Sequence, residues 1–158
     1  PVRMFIAQPF IVSGSSMYPT FHNGQYLIID ELSYRLSEPN REDVVVFRYP
    51  NDQTKFFIKR IIGLPNETVD ISGNTVTITN EQNPEGIKLE QPYIKNDPQN
   101  NDSKHVKLKT GEYFVMGDNR GASSDSRFWG PVQEKLLIGK VFVRLFPLNT
   151  IGIWPGKN

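Results

Sequence analysis

The stretch Val69-Asp70-Ile71-Ser72-Gly73-Asn74-Thr75-Val76-Thr77-Ile78 consists of two runs in which apolar and polar residues alternate, joined by a Gly-Asn pair. A period of two is that of a strand, because successive side chains point to opposite faces of a sheet. Glycine and asparagine accept the positive φ that a tight turn between such strands requires. The reading is a β-hairpin over residues 68–79, each strand carrying one apolar face.

The same pattern extends in both directions. Short alternating or apolar blocks bounded by Gly, Pro, Asn and Asp predict further strands at residues 8–13, 25–30, 44–49, 55–62, 112–117 and 139–146. One segment, 131–137, reads as a short helix, with Pro131 near its start and Gly139 just past its end. Residues 80–109 turn polar, rich in Asn, Gln, Asp, Pro and Lys, and predict a long surface excursion with few core residues. The fold expected is mostly β with very little helix, in one compact body, since 158 residues suffice for a single core.

Composition removes several chemistries. Eighteen Lys and Arg stand against 17 Asp and Glu, a net charge of +1 that offers no field to gather nucleic acid. With no cysteine there is neither a disulfide, a thiolate metal site nor a thiol nucleophile. His22 and His105 lie far apart, without metal-ligand spacing, and read as solvated loop residues. A Ser-His-Asp triad is unsupported but open. No apolar run approaches the ~20 residues of a membrane helix. The sequence starts at Pro1 rather than Met, followed by Val2, Met4, Phe5, Ile6, Phe10, Ile11 and Val12, which suggests a segment upstream.

Three segments could carry chemistry. Ser13-Gly14-Ser15-Ser16-Met17-Tyr18-Pro19-Thr20 clusters hydroxyls beside a glycine and ends in a proline. Gly14 permits close backbone approach and Pro19 stiffens the turn, leaving amides free to face an oxyanion. Taken alone it also reads as an ordinary turn. In Phe56-Phe57-Ile58-Lys59-Arg60-Ile61-Ile62 two cations interrupt an apolar strand, and alternation places them on opposite faces. At least one must reach water along its stem or be buried; a buried lysine loses its proton more easily and can act as a base. The third segment runs from Gly117-Asp118-Asn119-Arg120 to Ser123-Ser124-Asp125-Ser126-Arg127-Phe128-Trp129-Gly130, and reads either as a scaffold loop at a site or as a generic turn with a generic ion pair.

Together, and in order, these segments resemble the type I signal peptidases, as does the linking stretch Asp43-Val44-Val45-Val46-Phe47-Arg48-Tyr49-Pro50. The resemblance runs from about residue 10 to residue 146. It implies a membrane-anchored serine endopeptidase that removes signal peptides from exported preproteins, without cofactor or metal. Ser16 would be the nucleophile, Lys59 the general base, and Ser123 the hydroxyl that orients the lysine amine. The Ser16 backbone N–H would hold the oxyanion, while Asp118, Asn119, Arg120, Asp125 and Arg127 brace the loop. One branch of the family has a serine where this chain has Gly14, which leaves the second oxyanion donor open. Phe10, Val12, Gly14, Met17, Phe21, Phe57 and Ile58 would form the substrate surface. An extended peptide would lie there as an added strand, with small residues at the first and third positions before the cut.

The resemblance further implies a coiled antiparallel β-sheet catalytic core, residues 1–62 and 110–158, with a β excursion at 63–109. The partners implied are the signal-peptide region of preproteins and a membrane lipid surface, not nucleic acid. The location implied is the extracytoplasmic side of the cell membrane, with an N-terminal anchor expected before Pro1 and Trp129 or Trp154 near the bilayer. Two rival readings are a self-cleaving Ser/Lys repressor and a non-catalytic β module. The first predicts an internal Ala-Gly or Cys-Gly cut site, which this sequence lacks. The second predicts no acylation of Ser16.

Overall fold

The computed structural model describes residues 7–94, 101–146 and 152–153. Val2, Met4, Phe5 and Ile6, noted above at the start of the sequence, and Trp154, expected near a bilayer, lie outside that range. The chain opens with β1 (Ala7–Ile11), β2 (Tyr26–Asp30), the one-turn helix α1 (Ser33–Leu36), β3 (Val44–Tyr49) and the long β4 (Asp52–Gly63). Then come β5 (Thr68–Ser72), β6 (Thr75–Thr79), β7 (Ile87–Lys88) and β8 (Ser103–Lys107). The last part holds β9 (Glu112–Met116), α2 (Ser126–Trp129), β10 (Val132–Gln133), β11 (Leu137–Phe146) and β12 (Gly152–Ile153).

The hairpin forms as its alternation requires. Thr68 to Ser72 pair with Thr79 to Thr75, and Gly73 takes φ 61° at the turn. Val69, Ile71, Val76 and Ile78 are buried together with Ile62, Tyr93, Leu108 and Phe114. Each such apolar side chain contributes about 2 kcal/mol relative to exposure. β7 and β8 flank the hairpin to complete a small sheet in the order β7-β6-β5-β8.

The large sheet has the order β1-β2-β11-β3-β4-β9-β10, with β12 on β11, and every pairing in both sheets is antiparallel. It coils. β1 and β4 are separated by three strands, yet the rings of Phe10 and Phe56 meet edge to face at 5.5 Å. The space between them is filled by Val12, Met17, Phe21, Leu27, Ile29, Val44 and Val46. A further apolar cluster holds Phe47, Ile61, Tyr113, Val115 and Val132.

Four expectations are corrected. Residues 131–137 do not form an α-helix: Val132 pairs with Tyr113 in β10, and a single 3-10 turn follows at Glu134–Leu136. Gly139 is no helix stop but a residue of β11, where a Cβ would lie 2.4 Å from the Asp30 carbonyl oxygen. The polar stretch 80–109 is not pure surface, since it supplies β8 and the buried side chains of Tyr93 and Leu108. His105, in turn, is an exposed strand residue paired with Asp70 rather than a loop residue.

Candidate active site

The turn after β1 is built to present one peptide unit. Val12 donates to the Gln25 carbonyl at 2.8 Å and accepts from Gly24 at the same distance, so the chain stays tied to β2 as it leaves the strand. Gly14 then takes φ 89° with nothing near a notional Cβ; the position demands glycine for its backbone, not for space. The Gly14 N–H is taken by Asn23 Oδ1 at 2.9 Å, which removes it as the second oxyanion donor. Met17 and Phe21, both fully buried, anchor the far side of the turn.

Asn119 fixes what lies between. Its N–H donates to the Ser16 carbonyl at 2.8 Å and its Nδ2 to the Ser15 carbonyl at 3.0 Å. Because a peptide unit is planar and trans, holding the Ser15 carbonyl aims the Ser16 N–H in the opposite direction. Among the described residues that N–H makes no hydrogen bond.

Lys59 and Arg60 are both buried, at 5% and 1% exposure, because each face of β4 is covered: the serine turn lies over Lys59, and Asp118 and the Tyr93 ring lie over Arg60. Arg60 reaches Asp118 through Nε and Nη2 at 2.9 and 2.7 Å, and Nη1 donates to the Glu42 carbonyl. Asp118 also accepts from Thr20 Oγ1 at 2.6 Å, which joins the end of the serine turn to the same carboxylate. Among the described residues Lys59 has no carboxylate in contact. Its Nζ lies 2.8 Å from Ser16 Oγ, 3.1 Å from the Ile58 carbonyl oxygen and 5.1 Å from the centre of the Phe57 ring. Burial pushes the amine down to about 8, against the opposing charge of Asp125. An amine that sheds its proton near neutrality, at hydrogen-bonding distance from a hydroxyl, can accept the hydroxyl proton.

The loop after β9 organises around Asp125, which is fully buried. One carboxylate oxygen accepts from the Gly117 N–H and from Ser123 Oγ, at 2.9 and 2.7 Å; the other takes Arg127 Nε at 2.8 Å. Arg127 Nη2 bridges Asp125 and the Arg120 carbonyl, and Arg120 Nε donates back to the Gly117 carbonyl. The Ser123 hydroxyl thus bonds to Asp125 and not to the Lys59 amine, so any steering of that amine passes through the carboxylate. Gly117 is where loop and serine turn touch: a Cβ there would sit 2.2 Å from Ser123 Oγ and 2.5 Å from the Ser16 carbonyl oxygen.

A cleft of about 510 Å³ runs from Ser16 and Lys59 between residues 10–15 and 55–58. Phe10, Val12, Gly14, Phe57 and Ile58 line it. Met17 and Phe21 do not: they lie in the apolar cluster with Val12, because the turn points them inward. Sequence reasoning missed Leu27, Val46, Lys55, Ala122 and Ser124 as cleft residues. Phe56 was legible from its place beside Phe57 on the same strand; Ala122 and Ser124 carry no local signal. It also missed Arg60 as the partner of Asp118.

The family profile described as "Signal peptidase, peptidase S26" matches residues 1–146. A signal peptidase I of Leptolyngbya laminosa is 36% identical over 159 residues, covering 96% of this chain and 74% of that protein. The probable signal peptidase I-2 of Synechocystis is 39% identical over 158 residues, covering 96% and 69%. Among solved structures, a signal peptidase I from Enterococcus faecalis aligns with a TM-score of 0.55 at 29% identity, over 66% of this chain and 97% of the other.

Proposed function

Since the chain belongs to the signal peptidase, peptidase S26, family, we propose that it removes signal peptides from preproteins by a Ser16/Lys59 dyad. The observation that carries this reading is the 2.8 Å contact between Ser16 Oγ and a buried Lys59 Nζ.

Neutral Lys59 takes the Ser16 proton as Oγ attacks the scissile carbonyl carbon. The charge that develops on the carbonyl oxygen meets the Ser16 N–H, whose direction Asn119 sets. Collapse breaks the C–N bond, and the Lys59 ammonium returns its proton to the leaving amine. Water then attacks the Ser16 ester, giving a proton to Lys59; the second collapse frees the signal-peptide carboxylate and restores both groups.

The cleft explains the substrate. A peptide laid as a strand along residues 10–15 and 55–58 turns alternate side chains into the protein, where Val12, Ile58 and Leu27 leave little volume. Alanine fits at such positions and leucine does not. With a peptide carrying Ala-X-Ala before the cut, Ser15→Ala is expected to cleave normally, and Ser16→Ala to fold but not cleave. Cleavage by Ser16→Ala, or unimpaired cleavage after leucine replaces the last alanine, refutes the reading.

The enzyme is further proposed to work at an extracytoplasmic membrane surface. Ile11, its cross-strand partner Tyr26, and Phe56 are exposed at 58, 42 and 45% beside the cleft, and such apolar surface suits a bilayer interface. Lipid vesicles should bind the protein, and Ile11→Ser should weaken that binding; vesicles without effect on either refute it. Among the described residues no helix is long and apolar enough to cross a membrane.

A further inference from the structure

The segment between β4 and β9 sends two side chains to the loop that holds Ser16. Asp102, just before β8, is tied by its carbonyl to the Gly73 N–H of the hairpin turn at 2.7 Å. Its carboxylate lies 2.9 Å from Arg127 Nη1, while the other edge of the same guanidinium is on Asp125. Tyr93, packed in the core of the small sheet, puts its ring 4.0 Å from the Arg60 guanidinium, which pairs with Asp118. Both routes end on residues 117–119, whose glycine abuts the Ser16 carbonyl and whose asparagine holds it.

We infer that Asp102 and Tyr93 are positioning residues through which the small-sheet segment fixes the loop 117–127 and, through it, Ser16 against Lys59. The inference rests on the dyad reading above. A guanidinium is a planar fork. Held only by Asp125, Arg127 moves with the loop it is meant to brace. Asp102 grips its opposite edge from a different part of the chain and so gives the loop an external reference. Asp102 is one-third exposed, and a partly exposed ion pair contributes little to stability. Its removal should therefore register in turnover rather than in folding. A displacement on the order of 1 Å at reacting atoms costs up to ~100-fold.

The test compares Asp102→Ala, Asp102→Asn, Tyr93→Leu and Tyr93→Phe with Val106→Ala, a change in β8 that loosens the small-sheet core but removes neither the Asp102 carboxylate nor the Tyr93 ring. Asp102→Ala and Tyr93→Leu should lower kcat about 10-fold with KM held within about 2-fold. Asparagine keeps an acceptor and phenylalanine keeps the ring, so both should restore kcat to within about 3-fold. Val106→Ala should lower Tm with kcat intact. An unchanged kcat in Asp102→Ala, or an equal loss in Val106→Ala, overturns the inference while an inactive Ser16→Ala leaves the dyad standing. Cleavage by Ser16→Ala brings down both.

Discussion

Lys59 and Arg60 are neighbours on one strand, both withdrawn from water, and the molecule treats their charges in opposite ways. Arg60 meets a buried carboxylate in two hydrogen bonds, with a tyrosine ring over its face. Its charge is kept and neutralised in place. Lys59 meets a hydroxyl, a carbonyl and an aromatic ring, and its nearest charge, Asp125, is already bonded to Arg127. Its charge is tolerated poorly, which burial expresses as an amine pushed down to about 8. One residue of sequence thus separates a strut from the proposed base. The difference lies in whether the facing loop supplies an acid to the cation or to something beside it.

The largest effect expected from that contrast is on rate. Lys59→Met should lower turnover by ~10⁴-fold, as loss of one member of a cooperating catalytic pair does; residual turnover within 10-fold of the parent would erase the distinction between the two cations. Next comes the strut. Asp118→Ala leaves the Arg60 charge buried without its carboxylate and should cost about 3–5 kcal/mol, or about 10 °C in Tm. Calorimetry showing no loss would mean that Arg60 does not depend on the pair.

The smallest effect concerns the cost of burying Lys59, and its sign follows from linkage. A lysine whose folded pKa lies below the ordinary 10.5 binds more protons unfolded than folded between about 8 and 10.5, so stability rises with pH across that window. The penalty is about 3 kcal/mol below pH 8. Lys59→Met should accordingly melt higher than the parent at pH 7, with the advantage shrinking toward pH 10.5. A Tm difference that is constant with pH would show that Lys59 is not a strained cation.

The strands were legible where alternation was undisturbed, as in the hairpin at Gly73-Asn74. They were misread where a local signal had a distant cause: Pro131 and Gly139 look like helix punctuation, but the first precedes an edge strand and the second clears the way for the Asp30 backbone. Within the site, the 13–20 hydroxyl cluster, the Lys59-Arg60 pair and the 117–127 loop stood out because polar residues interrupt apolar runs there, while only the family resemblance singled out Ser16 and Lys59. Alternation could also divide Lys59 from Arg60. It could not say that both would be buried, since that depends on distant segments that cover the two faces of β4. Met17 and Phe21 are hydrophobic enough for a pocket wall or a core, and only the path of the turn decides for the core. Asp102 sits in a tract whose composition says surface, and its partner is 25 residues away.

The strand order carries one more consequence. The turn with Ser16 leaves β1, which is joined to the sheet through β2; Lys59 lies on β4, which is joined through β3; and β2 and β3 are neighbours only by way of β11. The strand that joins the two halves therefore comes after both of them in the chain. Until residues 137–146 are in place, the serine half and the lysine half share no strand, and the contact between Ser16 and Lys59 has no continuous sheet to hold it.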